Sequence, residues 1–372
     1  MRYNIVIREV RKPTSTSIST TKTNIKTFMK NNVHFYDEQL LDKCDQFSRM
    51  FVNMPGFSKE YRNIKRLLHP FDTIKRDINS RLLNSPARIT NAFMKFYEFI
   101  DVYYNYVNFS DNTIKMFDVA GAPGMFVIAM DYHLNSKYKN LNLQWHACSL
   151  EGGTALSDSY GLYKNNPSCY SKCDVTNEND LKNILSSHSG SYNLVTGDIG
   201  MYHDENDTSI LQEVTHLDVQ WGQAILALNL AAPGAVMFLK MYTLLTMETT
   251  YLLDILSEYF EEIQIVKPYT SRILNLESYI VCIHRNKKPL NPISLRRIPF
   301  EEKEIYVSPN LENISTFESA RFDYRILIGS LVCRIVNENN KISEDKMMTN
   351  TQYRAFHDKR FTRLEEIFKR LR

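Results

Sequence analysis

The sequence predicts an α/β fold, a mostly parallel sheet covered by helices on both faces, on three observations. Helical and strand-like segments alternate between residues 87 and 284, as crossovers between parallel strands require. The run Phe117-Asp118-Val119-Ala120-Gly121-Ala122-Pro123-Gly124-Met125-Phe126 leads from an apolar, β-prone segment through small residues into an apolar helical one. Such a turn lets a ligand approach backbone N–H groups, although it also suits an ordinary loop. Polar residues recur directly after the apolar strand segments, where an open α/β sheet places its binding crevice.

The elements follow in chain order. Residues 2–10 predict a short strand, and the Ser/Thr-rich run 14–27 a loop or linker without evident chemistry. Residues 37–81 read as helical and basic, with Arg62, Lys65, Arg66, Lys75, Arg76 and Arg81 close together. Taken alone, a solvated helix face is the simpler account of them. An aromatic-rich helix over 93–106 precedes strand 114–119, helix 126–134, strand 143–150, helix 180–186 and strand 192–196. A long helix over 211–231, strand 235–239 and helix 249–259 lead to two closing strands, 262–267 and 278–284. The short polar turn between those two predicts an antiparallel hairpin at one edge of the sheet. After Pro289 the alternation stops, and the chain ends in a basic helix carrying Arg354, Lys359, Arg360, Arg363, Lys369, Arg370 and Arg372. The expected organisation is an N-terminal extension over 1–84, an α/β domain over 85–290 and a C-terminal extension over 291–372.

Composition bounds the function classes. A hydrophobic fraction of 43% and a charged fraction of 23% are those of a soluble globular protein. A net charge of only +3 leaves any nucleic-acid affinity to local basic patches. Six cysteines scattered over 372 residues point to reduced thiols in a cytosolic-type compartment rather than a disulfide framework. Cys169, Cys173 and His188 fall short of a complete ligand set, so no metal is expected. No secretory signal is read at the N-terminus. The apolar stretch 224–239 is interrupted by Asn229 and by Pro233-Gly234, and reads as buried helix, turn and strand rather than a membrane span.

The strand ends carry the candidate chemistry. Glu151, before Gly152-Gly153, is placed to accept from ribose hydroxyls or to cap a helix. Asp174, after another short segment, is placed to accept from an adenine amino group or to close an Asx-turn. Gly197-Asp198-Ile199-Gly200 follows one strand, Lys240 follows Val236-Met237-Phe238-Leu239, and Glu277 begins the last strand. A lysine at the mouth of a buried strand is expected to have its pKa lowered by desolvation.

These residues resemble the FtsJ-like 2′-O-ribose methyltransferases in four segments and in the family's order. Ala92-Phe93-Met94-Lys95-Phe96-Tyr97-Glu98 looks like the helix that brings the first catalytic lysine, and Asp118 through Phe126 like the cofactor loop. Gly197-Asp198 and Phe238-Leu239-Lys240 look like the segments of the aspartate and the central lysine. Lys267-Pro268-Tyr269-Thr270-Ser271-Arg272 with Glu277-Ser278-Tyr279 resembles the family's "KPxxSRxxSxExY" stretch, the most specific of the matches. Ala120, Met125 and Asn275 depart from the family's usual glycine or cysteine, second glycine and serine.

The resemblance implies a Rossmann-like class I methyltransferase with a seven-stranded sheet, S-adenosylmethionine as cofactor, and a catalytic tetrad of Lys95, Asp198, Lys240 and Glu277. Lys240 would activate the hydroxyl as general base, with Asp198 and Glu277 orienting the two lysines. Cofactor contacts would come from Asp118, Gly121, Ala122, Pro123, Gly124, Phe126, Glu151, Asp174 and Asp198, and substrate contacts from Arg88, Ser271 and Arg272. A 2′-OH acceptor means RNA, which makes the basic segment 62–81 with Arg88 a candidate RNA-binding wall. Nearby Tyr and Phe side chains would stack on bases. Long extensions on both sides of the core, as in mRNA cap-modifying relatives, point to the first transcribed nucleotide of capped mRNA. Ribosomal- or transfer-RNA methylation and a silent RNA-binding subunit of a capping complex are the alternatives. A dinucleotide-dependent oxidoreductase would use a similar turn but leaves Lys240 and Glu277 unexplained. The richness in Asn, Ile, Lys and Tyr hints at an AT-rich genome and a large cytoplasmic DNA virus. The expected place is then the host cytoplasm or the virion, beside capping or transcription subunits and away from membranes.

Overall fold

The computed structural model describes residues 5–8, 28–30, 33–52, 75, 79, 89–109, 111–138, 140–151, 158–200, 211–272, 275–290, 295, 297, 308, 310–337, 344–351, 353–355, 357–359, 362 and 366. In chain order the elements begin with β1 (Ile5–Arg8), β2 (Phe28–Lys30), β3 (Val33–Phe35) and α1 (Glu38–Val52). Next come α2 (Asn91–Tyr103), β4 (Thr113–Val119), α3 (Met125–Lys137), β5 (Asn142–Ser149), α4 (Leu162–Asn165) and β6 (Tyr170–Lys172). They continue through α5 (Glu178–His188), β7 (Tyr192–Gly197), α6 (Leu211–Leu230), β8 (Ala231–Met241) and α7 (Met247–Ser257). Last are β9 (Phe260–Val266), β10 (Ser278–Arg285), α8 (Leu311–Asn337) and α9 (Glu344–Met348).

Eight of the described strands form one sheet in the order β1-β9-β10-β8-β7-β4-β5-β6. Strands β6, β5, β4, β7 and β8 run parallel, and β10 lies antiparallel between β8 and β9. The Rossmann-like methyltransferase sheet is therefore present, with its antiparallel hairpin on the expected side. Its second strand is inserted inside the edge, and β1 adds an eighth strand outside β9. Because β5 and β7 lie on opposite sides of β4, the strand order reverses there, and a crevice opens at the carboxyl ends of β4 and β7.

Alternate strand residues feed two apolar layers, as the pleat demands. Ile114, Met116, Val236 and Phe238 enter the layer under α2 and α3. Phe117, Val119, Met237 and Leu239 enter the layer that also holds Leu40, Ile314 and Phe317 from α1 and α8. Helices α1 and α8 thus share the sheet's core, and they are tied by a Lys43–Asp323 pair at 2.6 Å.

Helix α8 was not legible in the sequence, and the strand at Pro233-Gly234 starts earlier than the expected turn there, at Ala231. Glycine at φ +82 lets β8 pass through that irregularity. All six cysteines are free. Among the described residues no helix is long and apolar enough to cross a membrane. The run 14–27, Arg62, Lys65, Arg66, Arg76, Arg81, Arg88 and Gly152-Gly153 lie outside the described residues, as do Arg360, Arg363, Lys369, Arg370 and Arg372.

Candidate active site

Lys95 reaches the site from a helix built to be immobile. Thr90 caps α2 by accepting from Phe93 N at 3.2 Å. Rings then pack the helix against α3 and the sheet, Phe96 on Phe126 of α3 at 4.7 Å, Phe99 on Phe238 of β8 at 4.3 Å, with Phe238 stacked on Tyr279 of β10 at 4.5 Å. Glu98, one turn along, accepts from the Tyr269 and Thr270 amides, each at 2.9 Å, and from the Thr270 hydroxyl. The 267–272 loop is thereby fastened to the helix that carries Lys95.

The other three members come from strand ends. Asp198 follows β7, Lys240 lies opposite Tyr279 in the β8–β10 register, and Glu277 immediately precedes β10. Lys95 Nζ lies 3.4 Å from Asp198 Oδ2 and 3.2 Å from Glu277 Oε2. Lys240 Nζ lies 3.5 Å from Asp198 Oδ1 and 3.8 Å from the same Glu277 oxygen. The four residues expected to act together are therefore brought together, two cations between two anions.

The electrostatics of the cluster correct one expectation. Burial on its own would lower the Lys240 pKa, but Asp198, Tyr242 and Glu277 outweigh it, and the ammonium is held above its ordinary value. Lys240 is therefore protonated in the free chain, because a lysine between two carboxylates gains more from them than it loses in desolvation. Burial likewise opposes ionisation of Glu277, yet Lys95, Lys240 and Lys267 keep its carboxyl well below the usual range. Burial drives the Lys267 ammonium down against the pull of Glu277, with Arg321, Arg325 and Lys95 adding to the fall. Its Nζ donates to the carbonyls of Asn275 at 3.0 Å and Glu277 at 2.7 Å.

Supporting side chains complete the cluster, and of these Gln223 and Tyr242 had no individual signal in the sequence. Tyr279 donates its hydroxyl to Asp198 Oδ1 at 2.6 Å. Gln223, a buried polar residue at the head of an apolar helical run, accepts from Ile199 N at 3.1 Å and donates to Lys240 O at 3.1 Å. It links the Asp198 loop to the Lys240 strand. Tyr242 places its ring 5.4 Å from Lys240 Nζ. A Cβ at Gly200 would sit 3.1 Å from that nitrogen, so the glycine keeps the amine approachable.

The turn after β4 forms the second half of the site. Asp118 is buried, accepts from the Thr196 hydroxyl at 2.7 Å, and has no lysine or arginine paired with it among the described residues. Burial lifts its carboxyl to about 7, with the Thr196 hydroxyl opposing the rise and Asp198 adding to it. A Cβ on Gly121 would drive into the Asp118 carboxylate, and Gly124 sits at φ +87 against Leu162. Ala122 and Pro123 complete the half-buried turn. Ala120 occupies φ +55, which explains why the family often uses glycine there. Met125 packs into the core as the first residue of α3, away from the turn.

Three expected contacts need restating. The Phe126 side chain is in the core rather than on the crevice, because its ring completes the Phe96 stack. What it offers a ligand is a first-turn backbone N–H. Asp174 closes the Asx-turn, accepting at Oδ1 from Thr176 N at 2.9 Å and from the Thr176 hydroxyl. Ser271 is buried and donates to Glu277 Oε1 at 2.7 Å instead of reaching outward. Glu151 is exposed beyond the end of β5, and Arg272 is half-buried on the 267–272 loop.

Similar chains are found among known proteins. A probable methyltransferase of African swine fever virus is 31% identical over 252 residues, 62% of this chain and 57% of that protein. The cap-specific mRNA (nucleoside-2′-O-)-methyltransferase 2 of Danio rerio is 29% identical over 220 residues, 55% of this chain and 29% of that protein. Its Drosophila melanogaster counterpart is 27% identical over 304 residues, 74% and 42%. The matched stretch thus spans a little over half of the viral relative and less than half of the cap-specific ones. The solved CurJ carbon methyltransferase covers 51% of this chain and 54% of that chain at 12% identity, with a TM-score of 0.32. The family model for FtsJ-like methyltransferases matches residues 89–285, which include α2, the glycine turn and all four clustered residues. The chain belongs to the FtsJ-like methyltransferase family, whose cofactor is S-adenosylmethionine.

Proposed function

We propose that this chain transfers a methyl group to the ribose 2′-oxygen of RNA, and that its target is the first transcribed nucleotide of capped mRNA. The observation that carries the reading is the closed Lys95–Asp198–Lys240–Glu277 cluster beside the glycine turn. Hydride transfer has no use for two lysines held between two acids. The cap-specific names of two relatives support the choice of acceptor.

The turn fits the cofactor. A buried carboxylate with no lysine or arginine paired with it among the described residues suits a cationic ligand, and the first turn of α3 offers backbone N–H groups for its approach. Asp118, Gly121, Ala122, Pro123, Gly124 and the Phe126 N–H would hold it, with Glu151 and Asp174 on its nucleoside side and Asp198 toward the reacting centre. When bound, S-adenosylmethionine supplies an electrophilic methyl group. Lys240 orients and activates the hydroxyl. Being protonated in the free chain, it must release a proton to solvent water before it can take one from the ribose. Positive charge placed next to Asp198 favours that release by weakening the Asp198–Lys240 pair. Lys95 works in the same direction, and Ser271 and Lys267 keep Glu277 in register. Arg88 and Arg272 are the proposed RNA contacts. On this reading, capping or transcription subunits are partners, and the viral relative favours the host cytoplasm or virion as the place of action.

The test incubates the chain with capped RNA, uncapped RNA and total RNA, and maps the new methyl group by mass spectrometry. A methyl on the 2′-oxygen of the first nucleotide, on capped RNA only, is expected. Base methylation, or equal methylation of uncapped RNA, overturns the proposed target. Lys240→Ala should lower kcat by at least about 100-fold while calorimetry shows S-adenosylmethionine still binding. Substantial remaining activity would remove Lys240 from its role.

A further inference from the structure

The C-terminal helix α8 reaches the tetrad from outside the family match, through a buried cation. We propose that Arg321, on α8, is a positioning residue that sets the spacing between Glu277 and Lys240; this rests on the methyl-transfer reading above.

The β8–β10 ladder ends at the Met241–Ser278 pair, with Lys240 just inside it and Glu277 just outside. Arg321 clamps the chain beyond that last pair. Its Nη1 donates to Leu276 O at 3.1 Å and to Tyr242 O at 3.4 Å. Leu276 is the residue before Glu277, and Tyr242 is two after Lys240. The other arm of the guanidinium, Nη2, makes a two-pronged contact with Glu318 at 2.8 and 2.6 Å. Glu318 in turn accepts from Leu244 N at 3.2 Å. Three chain segments therefore meet at one planar group.

The chemistry calls for arginine. Arg321 is 4% exposed and Glu318 fully buried, so neither charge is tolerable alone. Pairing them would satisfy the energetics without any contact to the catalytic strands. The rigid fork does more, because one terminal nitrogen holds the carboxylate while the other reaches two main-chain carbonyls. An ammonium holds the charge but cannot span both. The Phe317 and Phe322 rings, 5.5 and 5.8 Å from Cζ, restrict its movement. On the far side, Lys267 grips the Asn275 and Glu277 carbonyls. The backbone on both sides of the Glu277 side chain is thus held by side-chain donors of Arg321 and Lys267.

The test uses the full chain with Glu318→Gln/Arg321→Met, which removes both charges so that no buried carboxylate is stranded, and with Arg321→Lys as the conservative partner. Melting, calorimetric affinity for S-adenosylmethionine, and kcat and KM for RNA across pH are measured beside the wild type. In the double variant kcat should fall at least about tenfold, with KM and cofactor affinity changed no more than about twofold. The pH limb belonging to Lys240 should move down by about half a unit, because a looser Glu277 supports its ammonium less. Arg321→Lys should recover kcat only in part. A folded double variant with wild-type kcat and an unmoved limb overturns the proposal, as does a loss of kcat, affinity and melting all together. An inactive wild-type chain would instead remove the methyl-transfer reading, and this proposal with it.

Discussion

Glu277→Gln isolates the charge at the centre of the site, since an amide oxygen can still accept from Ser271. The carboxylate oxygen lies 3.2 Å from Lys95 Nζ and 3.8 Å from Lys240 Nζ. At an effective dielectric near 20 those pairs are worth about 5 and about 4 kcal/mol in gross Coulomb energy. Desolvation offsets much of this, and removing one partner of a buried ion pair typically costs about 3–5 kcal/mol. Urea unfolding at pH 7.5, followed by the fluorescence of Trp145 and Trp221, should show a loss of about that size. The pH dependence has a definite sign. The folded pKa of Glu277 is depressed, so its contribution is present above the ordinary carboxylate value of 4.5 and disappears as pH falls through the lower folded value. The gap between variant and wild type should hold steady from about pH 6 to pH 8 and close on acidification below about pH 4. A variant as stable as the wild type at neutral pH, or a gap that widens in acid, would refute the reasoning.

Other substitutions test the cofactor side. Asp118 has its carboxyl raised from 3.8 to about 7 by burial. The free chain should therefore lose stability as pH climbs from about 4 to about 7, where the unfolded carboxyl ionises before the folded one. Asp118→Asn should remove that slope and stabilise the free chain by up to about 4 kcal/mol at pH 8, while calorimetry shows weaker S-adenosylmethionine binding. An unchanged pH slope would mean the carboxyl is not desolvated. Gly124→Ala puts a Cβ at φ +87 and against Leu162, so a loss of about 1–3 kcal/mol in urea unfolding is expected. A neutral result would mean that the turn relaxes freely.

Much of the fold was legible because its signals are local. The strand–turn–helix at Asp118 through Phe126 and the positions of Asp198, Lys240 and Glu277 beside apolar runs all depend on neighbouring residues in the chain, and Lys95 was singled out by the family resemblance. Less legible were β6, only three residues long, and α8, whose buried Arg321, Arg325 and Glu318 look like a charged surface when read without their partners. Gln223 was likewise silent, since a polar residue in an apolar element gains meaning only from what it faces. Phe126 and Ser271 were read as ligand contacts from their motifs, and the packing turned both inward.

The sequence by itself determined the fold class and the glycine turn, because residue type and spacing along the chain carry that information, and the family resemblance singled out the four clustered residues. Only the tertiary structure decided the state of those residues. Lys240 was expected to be depressed by burial and is instead held protonated, since its charge depends on the sum over Asp198, Tyr242 and Glu277, residues that come together only when β7, β8 and β10 align. The same alignment brings α8, from outside the matched domain, to the carbonyls on either side of the site. Charge balance and clamping are properties of neighbours in space.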